Sequence, residues 1–555
     1  MNKKLFIGIV AFLAVGLGII WVSSLRSSDL SEELEHTLEL TMPNFLVNSA
    51  YQEEIKGFYQ EREYVEVWFY NHKLSSSGME FLTYIENIAS EGLQSEDYFW
   101  QDFQELIFEE KAHQGKFKTL SEEELANLEL LMTDAFFAIS RDLEYGKVDP
   151  RELDSNWKFE EKEGRFLYSD LLKEVANGAS VEQTFEKLHP ELELYANGRK
   201  AIRDLYDLKK KDTLNWEKIS LGTTLKVGES HPEVPKLRER LIFWGFLPSY
   251  SLESPLTFDE RMEAGLKEFQ KSQGMEPDGL IGSLVVSQLN KSPQDLIDLA
   301  SANMERLRWL PRIDWEQEMV LVNVANYQMD YLKKSDTLFS TKVIVGKDYS
   351  ESPSFTAPMS YIVFSPYWNI PPSITQEEII PAMKKNKGYL EQKNMELVDH
   401  SGELVNANTV KWEQAEKGEF PYRIRQKPGG SNSLGLVKFM FPNPYNIYIH
   451  DTPNRSLFAK ETRALSHGCI RIQYPDKFAK VLLDDSEWTD EKIKEAMNQK
   501  NEQTVKLEKS IPVVLLYLTF WAEEKGRFKY RPDIYERDVA LIRALKKKES
   551  SLDQA

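Results

Sequence analysis

The sequence predicts a multidomain α+β protein, helical in its first part and mainly β in its last. Three observations predict it. The chain has 555 residues, more than one hydrophobic core organises, so three or four domains are expected. Near Trp309 the apolar period changes from three- and four-residue spacing to partial alternation with β-branched residues, the mark of a passage from helices to strands. The only cysteine, Cys469, falls between two strand-like runs of that β part, in YNIYIHDTPNRSLFAKETRALSHGCIRI, residues 445–472.

The N-terminus opens with Lys3 and Lys4 and then carries no charge from Leu5 to Leu25, a run long enough to span a hydrocarbon core about 30 Å thick. The two lysines favour a cytoplasmic start, and the exit Trp21-Val22-Ser23-Ser24 is a poor cleavage site. Residues 1–26 are therefore expected to be a membrane anchor, uncleaved rather than removed, with the remainder exported. Residues 27–45 are acidic and polar and read as a linker, and 46–214 read as a helical domain. There Leu125, Leu128, Met132, Ala135 and Ile139 mark one helix face. His72, His113 and His189 lie in polar text and are expected at the surface.

Residues 215–292 form a small unit of three helices. Val234, Leu237 and Leu241 mark the first, Phe258, Met262, Leu266 and Phe269 the second, and Leu284, Val285 and Leu289 the third; Asp259 begins the second helix and Pro277-Asp278-Gly279 is a turn. Residues 293–523 then hold strand-like runs such as MVLVNVANYQMDYL and IPVVLLYLTFW, expected to build a sandwich-like domain. A helical, polar insertion at 373–425 interrupts it. The last stretch, 524–555, reads as a peripheral helix.

The net charge of −20 and the lack of a dense basic stripe argue against a nucleic-acid partner. A lone cysteine forms no internal disulfide, so it is either core or chemistry. As chemistry it needs a base or cation, because the thiolate is the nucleophile. Along a strand His467 lies two residues from Cys469, roughly 6–7 Å between Cα atoms, too far for a direct hydrogen bond unless the chain kinks at Gly468. His450 closes another strand-like run and is free to meet the sulfur across strands. The proton transfer is therefore assigned to His450 and support to His467, with an imidazolium–thiolate pair that stays reactive below the free-thiol pKa of about 8.5. Zinc on His450, His467 and Cys469 is the rival; no C-x-x-C or H-x-x-x-H spacing occurs, and a site without metal or cofactor is expected.

The stretch from His450 to Ser466-His467-Gly468-Cys469-Ile470-Arg471 resembles the signature of L,D-transpeptidases with a YkuD-type catalytic domain. SPYWNIPPSI (365–374) and RQKPGGSNSLGLVKFMFPNPYNIYIHDTP (425–453) are similar to the large YcbB-type branch, and so is EYGKVDPRELDSNW (144–157), from its scaffold region. FQKSQGMEPDGLIG resembles the small peptidoglycan-binding domain. The resemblance implies a scaffold domain, a peptidoglycan-binding domain and a mainly-β catalytic domain whose insertion caps the active site; a surface decoration is the alternative for that insertion. It implies a cysteine acyltransferase of the cell envelope, anchored in the inner membrane and working in the periplasm on cell-wall organisation and cell shape. Peptidoglycan stem peptides and glycan would be its partners, beside other cell-wall synthesis enzymes. Cys469 would attack the third residue of a tetrapeptide stem, expel the terminal D-alanine and pass the acyl group to a second stem as a 3→3 cross-link. Backbone N–H groups at Gly468 and Cys469 would receive the oxyanion, and Ser466 and His467 would orient the loop. Arg471 would pair with a stem carboxylate or hold the loop, and Tyr448, Trp368 and Asn369 would line the donor pocket. Carboxypeptidase or endopeptidase action, attachment of a protein to the stem, and a non-catalytic wall-binding scaffold remain alternatives at this level.

Overall fold

The computed structural model describes residues 29–104, 120–251, 254–334, 336–415, 420–483, 487–523 and 527–547. The charge-free run at 5–25 and His113 lie outside them. Among the described residues no helix is long and apolar enough to cross a membrane.

The stretch expected to be a linker is a helix, α1 (Asp29–Leu40). Leu30, Leu34 and Leu38 recur every fourth residue, so all three fall on one face and are buried in the helical core. That core is organised by α2 (Glu122–Tyr145), started by a capping box between Ser121 and Glu124. Leu125, Met132, Ala135 and Ile139 are buried on it as expected, while Leu128 only borders the core. Glu129, fully buried on α2, accepts hydrogen bonds from the N–H groups of Val67, Trp68 and Phe69 and from the Tyr59 hydroxyl. His72 is exposed beside Glu122. His189 is not at the surface: it is buried against the Tyr195 ring, 3.5 Å from Glu91. Burial pushes its imidazole down to about 4.

Helix α3 (Glu193–Lys211) packs on α4 (Pro293–Arg308), and α4 shares one core with α3 and with the strand residues Met319, Val514 and Leu516, so it joins the helical part to the β domain. The C-terminal helix α5 (Arg537–Leu545) is integral as well. Leu541 and Leu545 are buried, and Asp538 makes a buried ion pair with Arg306 of α4 at 2.6 Å. The three helices between α3 and α4, Val234–Phe243, Glu260–Ser272 and Ser283–Leu289, bury the expected apolar faces. Leu284 is the exception, half-buried, with Val286 in the core instead. Asp259 caps the second helix through Met262 N–H at 2.9 Å.

Among the described residues nine strands build the main sheet of the β domain: β1 (Met319–Asn323), β2 (Gln328–Lys333), β3 (Asp336–Gly346), β4 (Phe355–Phe364), β5 (Val437–Met440), β6 (Ile449–His450), β7 (Ala464–Ser466), β8 (Ile470–Ile472) and β9 (Gln503–Leu516). Their order is β7-β3-β8-β6-β5-β4-β9-β1-β2, and β2 also pairs with β3. The sheet thus closes on itself and is not the expected sandwich. Closure puts alternate side chains inside, where Val320, Val322, Val343, Val345, Ile449, Ile470 and Val513 are fully buried. Most pairs are antiparallel, but β6–β8, β9–β1 and β7–β3 are parallel.

The insertion is more than helical. It runs from Trp368 to Gln426 and carries a four-stranded antiparallel sheet of Trp368–Asn369, Arg423–Gln426, Met395–Val398 and Leu404–Val405, in that order. Its own core includes Ile370, Ile379, Ile380, Leu397, Trp412 and Ile424. Strands of two to four residues are too short to show a period, which is why the sequence suggested only helix.

Candidate active site

The site is built where β6 and β8 run parallel, with Ile449 opposite Ile470 and His450 opposite Arg471. One step back, Ile470 N–H donates to the Tyr448 carbonyl at 3.1 Å. Ile449, Ile470 and Ile472 point into the closed sheet, so alternation sends Tyr448, His450, Cys469 and Arg471 to the other face. His450 therefore stands beside Arg471 and diagonal to Cys469, with the Tyr448 and His450 rings 5.6 Å apart.

His450 Nδ1 lies 2.5 Å from the Asp451 carbonyl oxygen. A carbonyl only accepts, so the proton is assigned to Nδ1 and Nε2 is the basic nitrogen. Burial, with the Arg471 charge adding to it, pushes this imidazole down to about 3. The Cys469 thiol is half-buried and 3.7 Å from the Asn446 carbonyl. Desolvation pushes it up to about 11, opposed by the backbone and hydroxyl of Tyr448 and by the Arg471 charge. Both shifts favour a neutral thiol and a neutral imidazole at rest, against the ion pair that spacing alone suggested. Among the described residues no hydrogen bond joins the two.

Among the described residues Arg471 makes no ion pair. Its Nε is buried without a hydrogen-bond partner, and burial lowers its pKa against the pull of Cys469 and Tyr448. Burial pushes the Tyr448 hydroxyl up, with Cys469 adding to the rise and the Trp368 indole opposing it, so the nucleophile and the insertion both act on one tyrosine. Asn369 follows Trp368 on the same strand, is exposed and points to the opposite side.

His467 does not join the group. Its Nε2 meets Glu378 of the insertion at 3.2 Å, and both side chains are largely exposed. Ser466 accepts the Gly468 N–H at 3.1 Å and donates to the Cys469 carbonyl at 2.6 Å. It therefore folds the turn, and it occupies the N–H expected at Gly468 to be an oxyanion donor. Cys469 N–H, in contrast, has no partner among the described residues. Gly468 sits at φ +107°, a region L side chains avoid, and a Cβ there would lie 3.3 Å from Ile447. Gly468→Ala is expected to lower unfolding stability by about 1–3 kcal/mol, read by urea denaturation, and to cut activity with it.

Asn446, Ser352 and Glu378, all in contact with this constellation, carried no signal in the sequence, because each reaches it from a loop or from the insertion. Among the described residues no group of three or more His, Cys, Asp or Glu side chains is placed to hold a metal ion.

The β domain matches the family model described as "L,D-transpeptidase catalytic domain" (YkuD) over residues 317–494. Residues 230–289 match the model described as "Putative peptidoglycan binding domain", and residues 53–202 match the scaffold domain. Three family models thus match three successive stretches of the chain, the L,D-transpeptidase one over the β domain. It is 35% identical over 236 residues to a Haemophilus influenzae protein named "Putative L,D-transpeptidase", a match covering 42% of this chain and 47% of that protein. The chain therefore spans about half the length of the curated relative it matches. Two crystal structures are also similar. An L,D-transpeptidase from Xylanimonas cellulosilytica is 13% identical over 54% of this chain and 100% of that one, with a TM-score of 0.16. An L,D-transpeptidase (Yku) from Stackebrandtia nassauensis is 12% identical over 53% and 94%, with a TM-score of 0.20.

Proposed function

We propose that this protein is a peptidoglycan L,D-transpeptidase that forms 3→3 cross-links through a cysteine acyl-enzyme on tetrapeptide stems. The observation that carries the reading is the shared face of Cys469, His450 and Arg471, whose Nε is buried without a hydrogen-bond partner, on adjacent parallel strands. The donor carbonyl, that of the third stem residue, docks against Sγ beside Tyr448 and Trp368. As Sγ bonds to the carbonyl carbon, the thiol proton moves to His450 Nε2, and the Arg471 charge stabilises the sulfur's developing negative charge. The neutral resting pair suits this order: each partner gains its charge only when the other does, which restores a useful basicity to the imidazole. The oxyanion is received by Cys469 N–H, a donor worth about 3–4 kcal/mol when well aimed. Collapse breaks the C–N bond, and His450 returns its proton to the departing D-alanine amine. The side-chain amine of a second stem then attacks the thioester, loses a proton to His450, and leaves the thiol free. Once the thiol is neutral again, Arg471 is available to a stem carboxylate.

Mass spectrometry of digested peptidoglycan from strains with and without the protein tests this. Loss of 3→3 dimers is the expected result. Unchanged dimers with accumulated tetrapeptides would replace cross-linking by trimming. Localisation belongs to the same proposal: the charge-free run at 5–25 anchors the chain in the inner membrane and places the catalytic part in the periplasm. A reporter enzyme fused after residue 40 is expected to be active only outside the cytoplasm, and activity inside it would refute the topology.

A further inference from the structure

The turn that carries Cys469 is held from below by a residue outside its own sequence. Ser352, in the loop between β3 and β4, is fully buried. Its hydroxyl donates to the Gly468 carbonyl at 2.7 Å and accepts the Gly346 N–H at 3.0 Å. Its own N–H donates to the Tyr535 hydroxyl at 3.3 Å, and that hydroxyl donates to the Gly346 carbonyl at 2.5 Å. The same loop is clasped by the helical part. Lys158 N–H donates to the Ser354 carbonyl at 2.8 Å, and Ser354 N–H to the Asn156 carbonyl at 2.9 Å. Asn156 Nδ2 donates to Glu351 at 2.8 Å, and Arg537 ties Glu351 to Asp154.

The Gly468 carbonyl and the Cys469 N–H belong to one planar trans peptide group and point in opposite directions. Fixing the carbonyl therefore aims the N–H. A hydrogen bond at the carbonyl end also polarises the amide and strengthens its N–H as a donor. We propose that Ser352 is a positioning residue that aims Cys469 N–H at the oxyanion, and that the helical part sustains catalysis by holding Ser352 in place. This rests on the acyl-transfer reading of Cys469 but not on the identity of the acyl donor.

The test compares two reactions of Cys469 in the full chain. Acylation by p-nitrophenyl acetate bonds Sγ to the acyl carbon, expels p-nitrophenolate and passes through an oxyanion. Alkylation by iodoacetamide displaces iodide at a methylene and forms none. Ser352→Ala is expected to slow acylation about 10- to 100-fold while alkylation stays within about twofold at the same pH. Ser354→Ala is the control, since that hydroxyl is buried in the same loop without a partner; both rates should hold within about twofold. Tyr535→Phe, which removes the group holding Ser352 N–H, should show the same split to a smaller degree and replaces Ser352→Ala if that variant does not fold. Unchanged acylation in both variants overturns the proposal, as does a parallel fall of acylation and alkylation, which would mean that Ser352 only supports the sulfur. A parent enzyme that p-nitrophenyl acetate leaves unmodified also overturns it. Failure to consume stem peptide with the split intact would instead count against the proposed substrate.

Discussion

Turnover of a tetrapeptide stem is expected to fall by about 10⁴-fold or more in Cys469→Ala, as it does when a nucleophile is removed from a catalytic group acting as a unit. Stability should change by no more than about 1 kcal/mol. The sulfur is half-buried, 3.7 Å from the Asn446 carbonyl and beside Tyr448, so truncation to alanine removes one small group from this face. Alanine also removes a thiol whose ionisation burial opposes. Paired measurements of single-turnover acylation and urea unfolding check both halves. Residual turnover near the parent level would remove Cys469 from the chemistry, and a collapse of stability would make its role structural.

His450→Gln should lower kcat by about 10²–10⁴-fold, because glutamine keeps a polar side chain of similar size but takes no proton. The pH dependence of alkylation tells which resting state is present. With the thiol pushed up to about 11 and the imidazole down to about 3, iodoacetamide should react slowly at neutral pH and faster as pH approaches the thiol's own range. His450→Gln should leave that profile nearly unchanged while abolishing efficient acylation. A parent that alkylates rapidly well below pH 8 would restore the ion pair that spacing alone suggests. His467, directed at Glu378, should matter less in both assays.

The same histidine sets an acid limit. Its folded pKa is depressed from an ordinary 6.5 to about 3, so between those values the unfolded chain binds a proton that the folded chain refuses. Its share of stability is present above pH 6.5 and is lost as pH falls, by about 1.4 kcal/mol per unit at most. His189, pushed down to about 4, acts in the same direction. Urea unfolding at pH 7 and pH 5 should show a loss that shrinks in His450→Gln; equal losses in the two proteins would mean that His450 is protonated in the fold.

Much of this protein was legible in one dimension. The change of period near Trp309, the apolar faces of the three small helices and the His450–Cys469 signature are local patterns, and local patterns survive in a sequence. Leu30, Leu34 and Leu38 were equally local, yet an acidic background hid a helix face as a linker. What only the tertiary structure decided is non-local. The pairing of β2 with β3 closes the sheet, and strands of two to four residues give the insertion a sheet of its own. The turn spends Gly468 N–H on Ser466 and, among the described residues, leaves Cys469 N–H without a partner. Ser352 comes to Gly468 from 116 residues away. Charge states belong to the same class. Sequence names the ionisable groups, but desolvation and neighbours set their pKa values, and both come into being only when distant strands meet.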